Sequence, residues 1–223
     1  MCRIIPERLA DEFDAIKIGP RSASMNALLL SPHLETYFFI IRRGWAAAYL
    51  ALPDGRMQIL DVLLPGDAAP LHRVFVAGKG PLVKAVTPVE YCAMNSHEFK
   101  AFLERHRDIM GHVFDLVGTL FKKRDVAILQ LGALDARQAL LALLHALIDR
   151  YRQGAGAEAK PVFPLRSRLL AEALGITVVH AGRILKDLER EELILRVKGG
   201  VRIVNEDRLR QKAAALLPSG WSP

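Results

Sequence analysis

The segment from Leu165 to Leu195, LRSRLLAEALGITVVHAGRILKDLEREELIL, admits few folds because its apolar residues recur at helical spacing on both sides of one glycine. Leu165, Leu169, Leu170 and Leu174 form one apolar face, which stops at Gly175. A residue without a Cβ can take the left-handed conformation that ends a helix there. Thr177 is placed to cap a second helix, in which Val178, Ala181, Ile184, Leu185 and Leu188 continue the apolar stripe. His180, Arg183, Lys186, Asp187 and Arg190 are then left to point elsewhere. Two short helices joined by so tight a turn are a candidate helix-turn-helix.

Two β-prone runs follow at once, Glu192 to Val197 and Val201 to Val204, separated by Lys198-Gly199-Gly200. A hairpin placed directly after the second helix makes the motif a winged helix. The same spacing also fits two ordinary packed helices and a hairpin in an enzyme's accessory domain.

Charge is distributed to suit a polyanion at this end. The chain of 223 residues carries 31 Lys and Arg against 24 Asp and Glu, a net of +7. From Lys160 onward there are 12 basic and 7 acidic residues, so five of the seven excess charges lie in the last third. Phosphate attraction needs such an excess. With 51% hydrophobic and 25% charged residues the chain is expected to fold in water. No apolar run reaches the roughly 18 residues of a membrane span, and the start, MCRIIPERLADEFDAIK, is too acidic for a secretory signal. A cytoplasmic location is expected. Cys2 and Cys92 are the only cysteines, so no disulfide framework and no four-cysteine metal site can form in one chain. Cys92, inside a β-like run, reads as a small buried hydrophobe.

In chain order, residues 1 to about 17 hold one short helix, and Gly19 to Ser24 break the pattern. Strands are then expected at Tyr37 to Ile41, Trp45 to Leu52, Met57 to Leu64, Val74 to Val76, Leu82 to Val86 and Val89 to Met94. Arg42-Arg43-Gly44, Pro53-Asp54-Gly55-Arg56, Pro65-Gly66-Asp67 and Gly78-Lys79-Gly80-Pro81 supply the turns. Many short strands with such punctuation indicate an antiparallel barrel or roll. Ser96 is placed to cap a helix from His97 to His106, and a helix from Asp108 to Leu131 follows, about 36 Å long. A helix that long between a roll and a reading module exceeds what either core needs, and a two-fold dimer contact is its economical use. Asp135 to Tyr151 read as a buried helix and Gly154 to Ala159 as a loop.

Catalytic chemistry is sparse. No paired carboxylates, nucleophile beside a base, or cluster of histidine and acid stands at a spacing that sets a geometry, and Gly78-Lys79-Gly80 lacks the phosphate-loop pattern. The chain is expected not to be an enzyme and to hold no metal or cofactor.

The wording of several segments resembles the Crp/Fnr family of bacterial transcription regulators. Phe39 to Ala46, Leu52 to Leu60, Leu63-Leu64-Pro65-Gly66-Asp67 and Leu71-His72 are similar to the sensor roll of a proteobacterial subgroup. Leu174 to Leu188 resembles its helix-turn-helix, and Gly199 to Ile203 its wing. The resemblance covers about residues 35 to 212. It implies an α+β chain: an N-terminal antiparallel β-roll of cyclic-nucleotide-binding type over 1–107, a dimerisation helix over 108–131, and a C-terminal winged helix-turn-helix over 132–223. It further implies a homodimer on a palindromic operator in double-stranded DNA, an unidentified small-molecule effector, and RNA polymerase as a candidate partner.

Departures from the family's pattern narrow the expectation. Where cyclic-AMP-responsive members carry a Gly-Glu pair and an Arg-Ser pair, this chain has Pro70-Leu71 and Lys79-Gly80. Leu71 cannot accept a hydrogen bond from a ribose hydroxyl and Gly80 has no hydroxyl, so cyclic AMP sensing in the usual way is not expected. His72 and Lys79 are the candidate residues of an effector pocket for an anion. Two cysteines are too few for the iron-sulfur members' cluster, and neither His72 nor Cys92 has a spacing that argues for haem. In the DNA reader, Val178-Val179 stand where well-known members place an Arg-Glu pair, and they can make only apolar contacts such as with a thymine methyl. His180 and Arg183 are the candidate polar readers, and Arg168, Thr177, Lys198 and Arg202 the candidate phosphate contacts. An alternative is a sensor whose winged helix has ceased to read DNA and contacts a protein through Val178 and Val179.

Overall fold

The computed structural model describes residues 5–30, 36–76, 78, 80–154 and 161–217. The chain divides into two compact units, 1–120 and 121–223.

In the first unit, short β-prone runs pair into two four-stranded antiparallel sheets, with the central strands buried on both faces. Their members are β1 (Lys17–Ala23), β2 (Leu28–Leu30), β3 (Tyr37–Arg43), β4 (Ala46–Ala51), β5 (Met57–Leu63), β6 (Ala68–Ala69), β7 (Leu82–Ala85) and β8 (Val89–Asn95). The strand orders are β1-β8-β3-β6 and β2-β7-β4-β5. One set of side chains, Leu29, Phe39, Ile41, Ala46, Ala48, Leu63, Val83 and Val89, fills the interior of the roll. The other face of β3 and β8, with Phe38, Ile40 and Met94, packs against Phe13, Phe99, Phe102 and Leu103. These last come from α1 (Ala10–Ala15) and α2 (Ser96–Arg105). Glu12 ties the two helices together, accepting from Arg105 Nη2 at 2.7 Å and facing His106 Nε2 at 2.7 Å.

Three local expectations are corrected here. Gly19 to Ala23 belong to β1, where Pro20 is tolerated because β1 is an edge strand that pairs with β8 alone. The strand expected at Val74 to Val76 is instead a 3-10 turn over Leu71–Val74 with a bend after it. Leu71 and Val74, three apart, are buried, while Phe75 and Val76 are exposed, so the apolar run obeys helical spacing. The His72 carbonyl takes both the Phe75 and the Val76 N–H, so these donors are satisfied without a partner strand. The cap of α2 is Asn95, whose side chain accepts from the His97 N–H at 2.8 Å, and Ser96 is buried as the first helical residue.

α3 (Met110–Gly132) runs 23 residues across the division between the units, and α4 (Ala136–Gly154) follows. Of the loop expected at Gly154 to Ala159, residues 155–159 lie outside the described residues. The second unit continues with β9 (Val162–Phe163), α5 (Ser167–Leu174), α6 (Val178–Arg190), β10 (Ile194–Val197), β11 (Gly200–Ile203) and α7 (Glu206–Ala214). β11 lies between β10 and β9, so the wing is a three-stranded sheet. α4 buries Leu140, Leu141, Leu144, Leu147 and Ile148, and it packs against α5, α6 and α7. The architecture is α+β, as expected. Among the described residues, no helix is long and apolar enough to cross a membrane.

Gly200 marks the closest backbone approach in the wing. A Cβ there would stand 1.9 Å from the Phe163 carbonyl oxygen, on the strand next to it. Gly200→Ala is expected to destabilise the second unit by about 2 kcal/mol or more through forced backbone displacement. Denaturant unfolding followed by circular dichroism measures this, and an unchanged midpoint would contradict the packing.

Candidate nucleic-acid interface

The second unit builds its exposed surface from a buried helix pair. Leu169, Leu170, Ala171 and Leu174 of α5 and Ala181, Ile184, Leu185 and Leu188 of α6 are buried, and the two helices pack together. Gly175, at φ +66°, ends α5 in the left-handed conformation, and both its N–H and that of Ile176 donate to the Ala171 carbonyl. These bonds satisfy α5's last turn and set the start of α6. Thr177 caps α6 in extended conformation, its Oγ1 accepting the His180 N–H at 3.1 Å.

The surface that results is specific. Val178 and Val179 are 50% and 66% exposed, so Val178 does not join the buried stripe that its spacing suggested. At the first helical position its side chain lies outside the face shared with α5. His180 and Arg183 are exposed beyond it. The N-terminal half of α6 therefore presents two valines, a histidine and an arginine. Lys198 is exposed at the wing's two-residue turn, and Arg202, on β11, is partly exposed. Arg168 is exposed on α5.

The cations divide by what already holds them. Arg168 pairs with Glu172 at 3.1 Å, Arg190 with Asp187 at 3.1 Å, and Arg196 with Glu189 at 2.7 Å. Arg183, Lys186, Lys198 and Arg202 make no ion pair or side-chain hydrogen bond among the described residues. An unpaired cation meets a phosphate or a base edge without first giving up a carboxylate.

The Glu189–Arg196 contact is a brace that sequence spacing did not disclose. Glu189 Oε1 accepts the Arg196 main-chain N–H at 2.9 Å while Oε2 accepts from its guanidinium, locking α6 to the wing strand β10. A second brace gathers around Glu191, which pairs with Arg137 of α4 and with Lys212 of α7 at 3.3 Å. A third links Arg152 of α4, through Glu206 at 2.9 Å, to Arg210, which also pairs with Asp149. A residue pairing across a hairpin or between α4 and α7 has no short-range signature. Only the excess of carboxylates late in α6 hinted at it.

The first-unit candidates are placed as follows. His72 lies in the 3-10 turn and is exposed. Lys79 lies outside the described residues. Cys92 is buried. Among the described residues, no group of three His, Cys, Asp or Glu side chains could hold a metal ion.

These braces carry a pH dependence. Glu189 is held below its ordinary 4.5 by the Arg196 main-chain N–H and then by the Arg196 side chain. Glu191 is pushed up by burial, but Arg137 and Lys212 outweigh that and the net shift is downward. Glu206 is lowered chiefly by Arg152, against burial. Folded-state values below the unfolded ones stabilise the fold fully above about pH 4.5, and that contribution is lost as pH falls through the lowered values. Thermal melts from pH 7 down to pH 3 are expected to show a falling midpoint below about pH 4.5. Glu189→Gln should lower the midpoint at pH 7 and flatten the acid limb. An acid limb unchanged by this substitution would contradict the brace.

Comparison with known proteins places this geometry. Residues 138–212 match the family model of the Crp-like helix-turn-helix domain. The chain is 27% identical over 208 residues to the transcriptional activatory protein AadR of Rhodopseudomonas palustris, covering 92% of this chain and 85% of that protein. It is 26% identical over 206 residues to the nitrogen fixation regulation protein FixK of Bradyrhizobium diazoefficiens, with the same coverage. The solved structure of FixK2 from Bradyrhizobium japonicum superposes with a TM-score of 0.72 at 19% identity, covering 86% of this chain and 96% of that one.

Proposed function

We propose that this chain, whose residues 138–212 match the Crp-like helix-turn-helix domain and which is similar along most of its length to the regulators AadR and FixK, is a transcription regulator of the Crp/Fnr family and a dimeric, sequence-specific operator-binding protein. It acts in the cytoplasm by binding, with no catalysis, and a signal received by the roll sets its affinity for DNA. RNA polymerase is the partner at the promoters it visits.

The observation that carries the reading is the exposed start of α6, where Val178, Val179, His180 and Arg183 are all exposed in the same unit as the wing cations Lys198 and Arg202. In the major groove, Arg183 offers the bidentate donors that recognise guanine, and His180 one further polar contact. Val178 and Val179 fit the C5-methyl of thymine. Thr177, Arg168, Lys198 and Arg202 set register on the phosphates. Arg168 reaches a phosphate by exchanging an exposed ion pair that is worth little.

Dimerisation is supported by α3. Phe114, Phe121 and Ile128 recur every seven residues and are 66%, 67% and 69% exposed, and Leu131 is 53% exposed. A heptad row of large apolar side chains left in water is what a coiled-coil seam presents before its partner docks. Each such side chain contributes about 1.5–3 kcal/mol when buried, and a two-fold axis doubles the row.

The alternative, a winged helix given over to protein contact, is favoured by the two exposed valines alone. The cations Arg183, Lys186, Lys198 and Arg202 of the same unit, unpaired among the described residues, favour nucleic acid.

Footprinting on an operator tests the reader. Arg183→Ala is expected to weaken operator binding by about tenfold or more, and unchanged affinity would remove Arg183 from the reading set. Uracil in place of a contacted thymine should cost about fourfold per methyl lost, and Val179→Ala should abolish that sensitivity. Equal sensitivity in the variant would place the valines off the base edges. Phe121→Glu should convert the dimer to a folded monomer in light scattering and abolish operator binding at the same protein concentration. A variant that remains dimeric would rule out the α3 seam.

A further inference from the structure

The strands of the wing are unequally held. In the order β10-β11-β9, β11 has a strand on either side, and its Val201 and Arg202 stand in register with Phe163 and Val162 of β9. β10 is an edge. Of its residues Ile194–Val197 only Ile194 is buried, so past that point no side chain of the strand is anchored in the core. The turn that carries Lys198 continues from this unanchored end.

Glu189 supplies the missing anchor. An edge strand leaves main-chain N–H groups without a neighbouring strand to accept them, and that of Arg196 donates to Glu189 Oε1 at 2.9 Å. Arg196 Nε donates to Oε2 of the same carboxylate at 2.7 Å. One carboxylate in the last turn of α6 thus stands where a further strand would pair. The ion pair by itself counts for little, because both side chains are partly exposed. The charge-assisted bond to the main chain carries more weight, since it fixes the backbone of β10 just before the turn.

We propose that Glu189 is a positioning residue for DNA binding: it holds the turn of the wing at a set offset from α6, so that Lys198 meets a phosphate when Arg183 is in the groove. This rests on the operator-binding function proposed for the chain. Arg202 provides a contrast within the same wing. It lies on β11, which β9 anchors without help from Glu189, so its contact does not depend on the brace. The sign of the effect is also diagnostic. Removing a negative charge from a DNA-binding surface strengthens its attraction to a polyanion, so weaker binding on loss of Glu189 reports positioning and not charge.

Fluorescence anisotropy on the full chain tests this, with an operator selected from genomic DNA and a scrambled duplex, across a salt series and with folding checked by circular dichroism. Glu189→Gln should weaken operator binding by about threefold or more and reduce the salt slope by about one. Lys198→Ala should do the same. The variant carrying both substitutions should bind no more weakly than Lys198→Ala alone, whereas the losses from Glu189→Gln and Arg202→Ala should add. Arg196→Pro and Arg196→Ala carry the same charge and differ in the main-chain N–H, which proline lacks and an edge strand tolerates losing. Arg196→Pro should bind the operator more weakly than Arg196→Ala. The proposal is overturned if Glu189→Gln binds as tightly as the wild type or more tightly, if its loss adds in full to that of Lys198→Ala, or if Arg196→Pro matches Arg196→Ala. A wild type that does not prefer the operator over the scrambled duplex overturns the operator-binding function itself, and the positioning role with it.

Discussion

The buried contact between α5 and α6 is the constraint on which the reading surface depends. Ala181, Ile184, Leu185 and Leu188 turn inward, so the intervening positions of the same helix are forced out. Gly175 makes the contact possible by ending α5 within one residue, and the Ala171 carbonyl accepts both N–H groups that follow. The exposure of Val179, His180 and Arg183 is thus a consequence of what their neighbours bury. The wing is held to the same helix by Glu189, which grips main chain and side chain of Arg196 together.

Much of this was legible in the sequence because it depends on short-range rules. The Leu174-Gly175 stop, the Thr177 cap and the hairpin at Lys198-Gly199 each follow from conformational preference at one or two residues, and the structure has them at those positions. Strands β3, β4, β5, β7 and β8 of the roll were legible for the same reason, while β1, β2 and β6 were not. What could not be read depends on partners distant in the chain. Val74 to Val76 have β-prone composition, yet Leu71 and Val74 are drawn together into the core behind β3. Pro20 argued against a strand until β1 was seen to be an edge. The site was less legible than the fold. Ion pairing separates Arg183 from Arg190 and Arg196, which are exposed as well but held by Asp187 and Glu189, and a one-dimensional pattern does not show that difference.

The fold resembles that of FixK2, while the side chains presented at two places differ from the pattern of cyclic-AMP-responsive regulators. At the roll, Leu71 is buried in the core shared with α2, so it has become part of the packing. At the start of α6, apolar Val178 and Val179 occupy the first turn; under the proposed function this would shift discrimination toward methyl groups and place the polar readout one turn later. A regulator built this way is expected to prefer operators unlike those of cyclic-AMP-responsive relatives. Its response to a signal would likewise come through other contacts of the roll than a cyclic nucleotide's.

The most direct measurement is selection of fragments from genomic DNA by the purified full-length protein at low salt, followed by sequencing. The account predicts enrichment of fragments sharing two inverted half-sites about one helical turn apart, about 34 Å between centres, with thymine at the positions nearest the start of α6. Absence of any enriched sequence at low salt, where phosphate attraction is strongest, would contradict it.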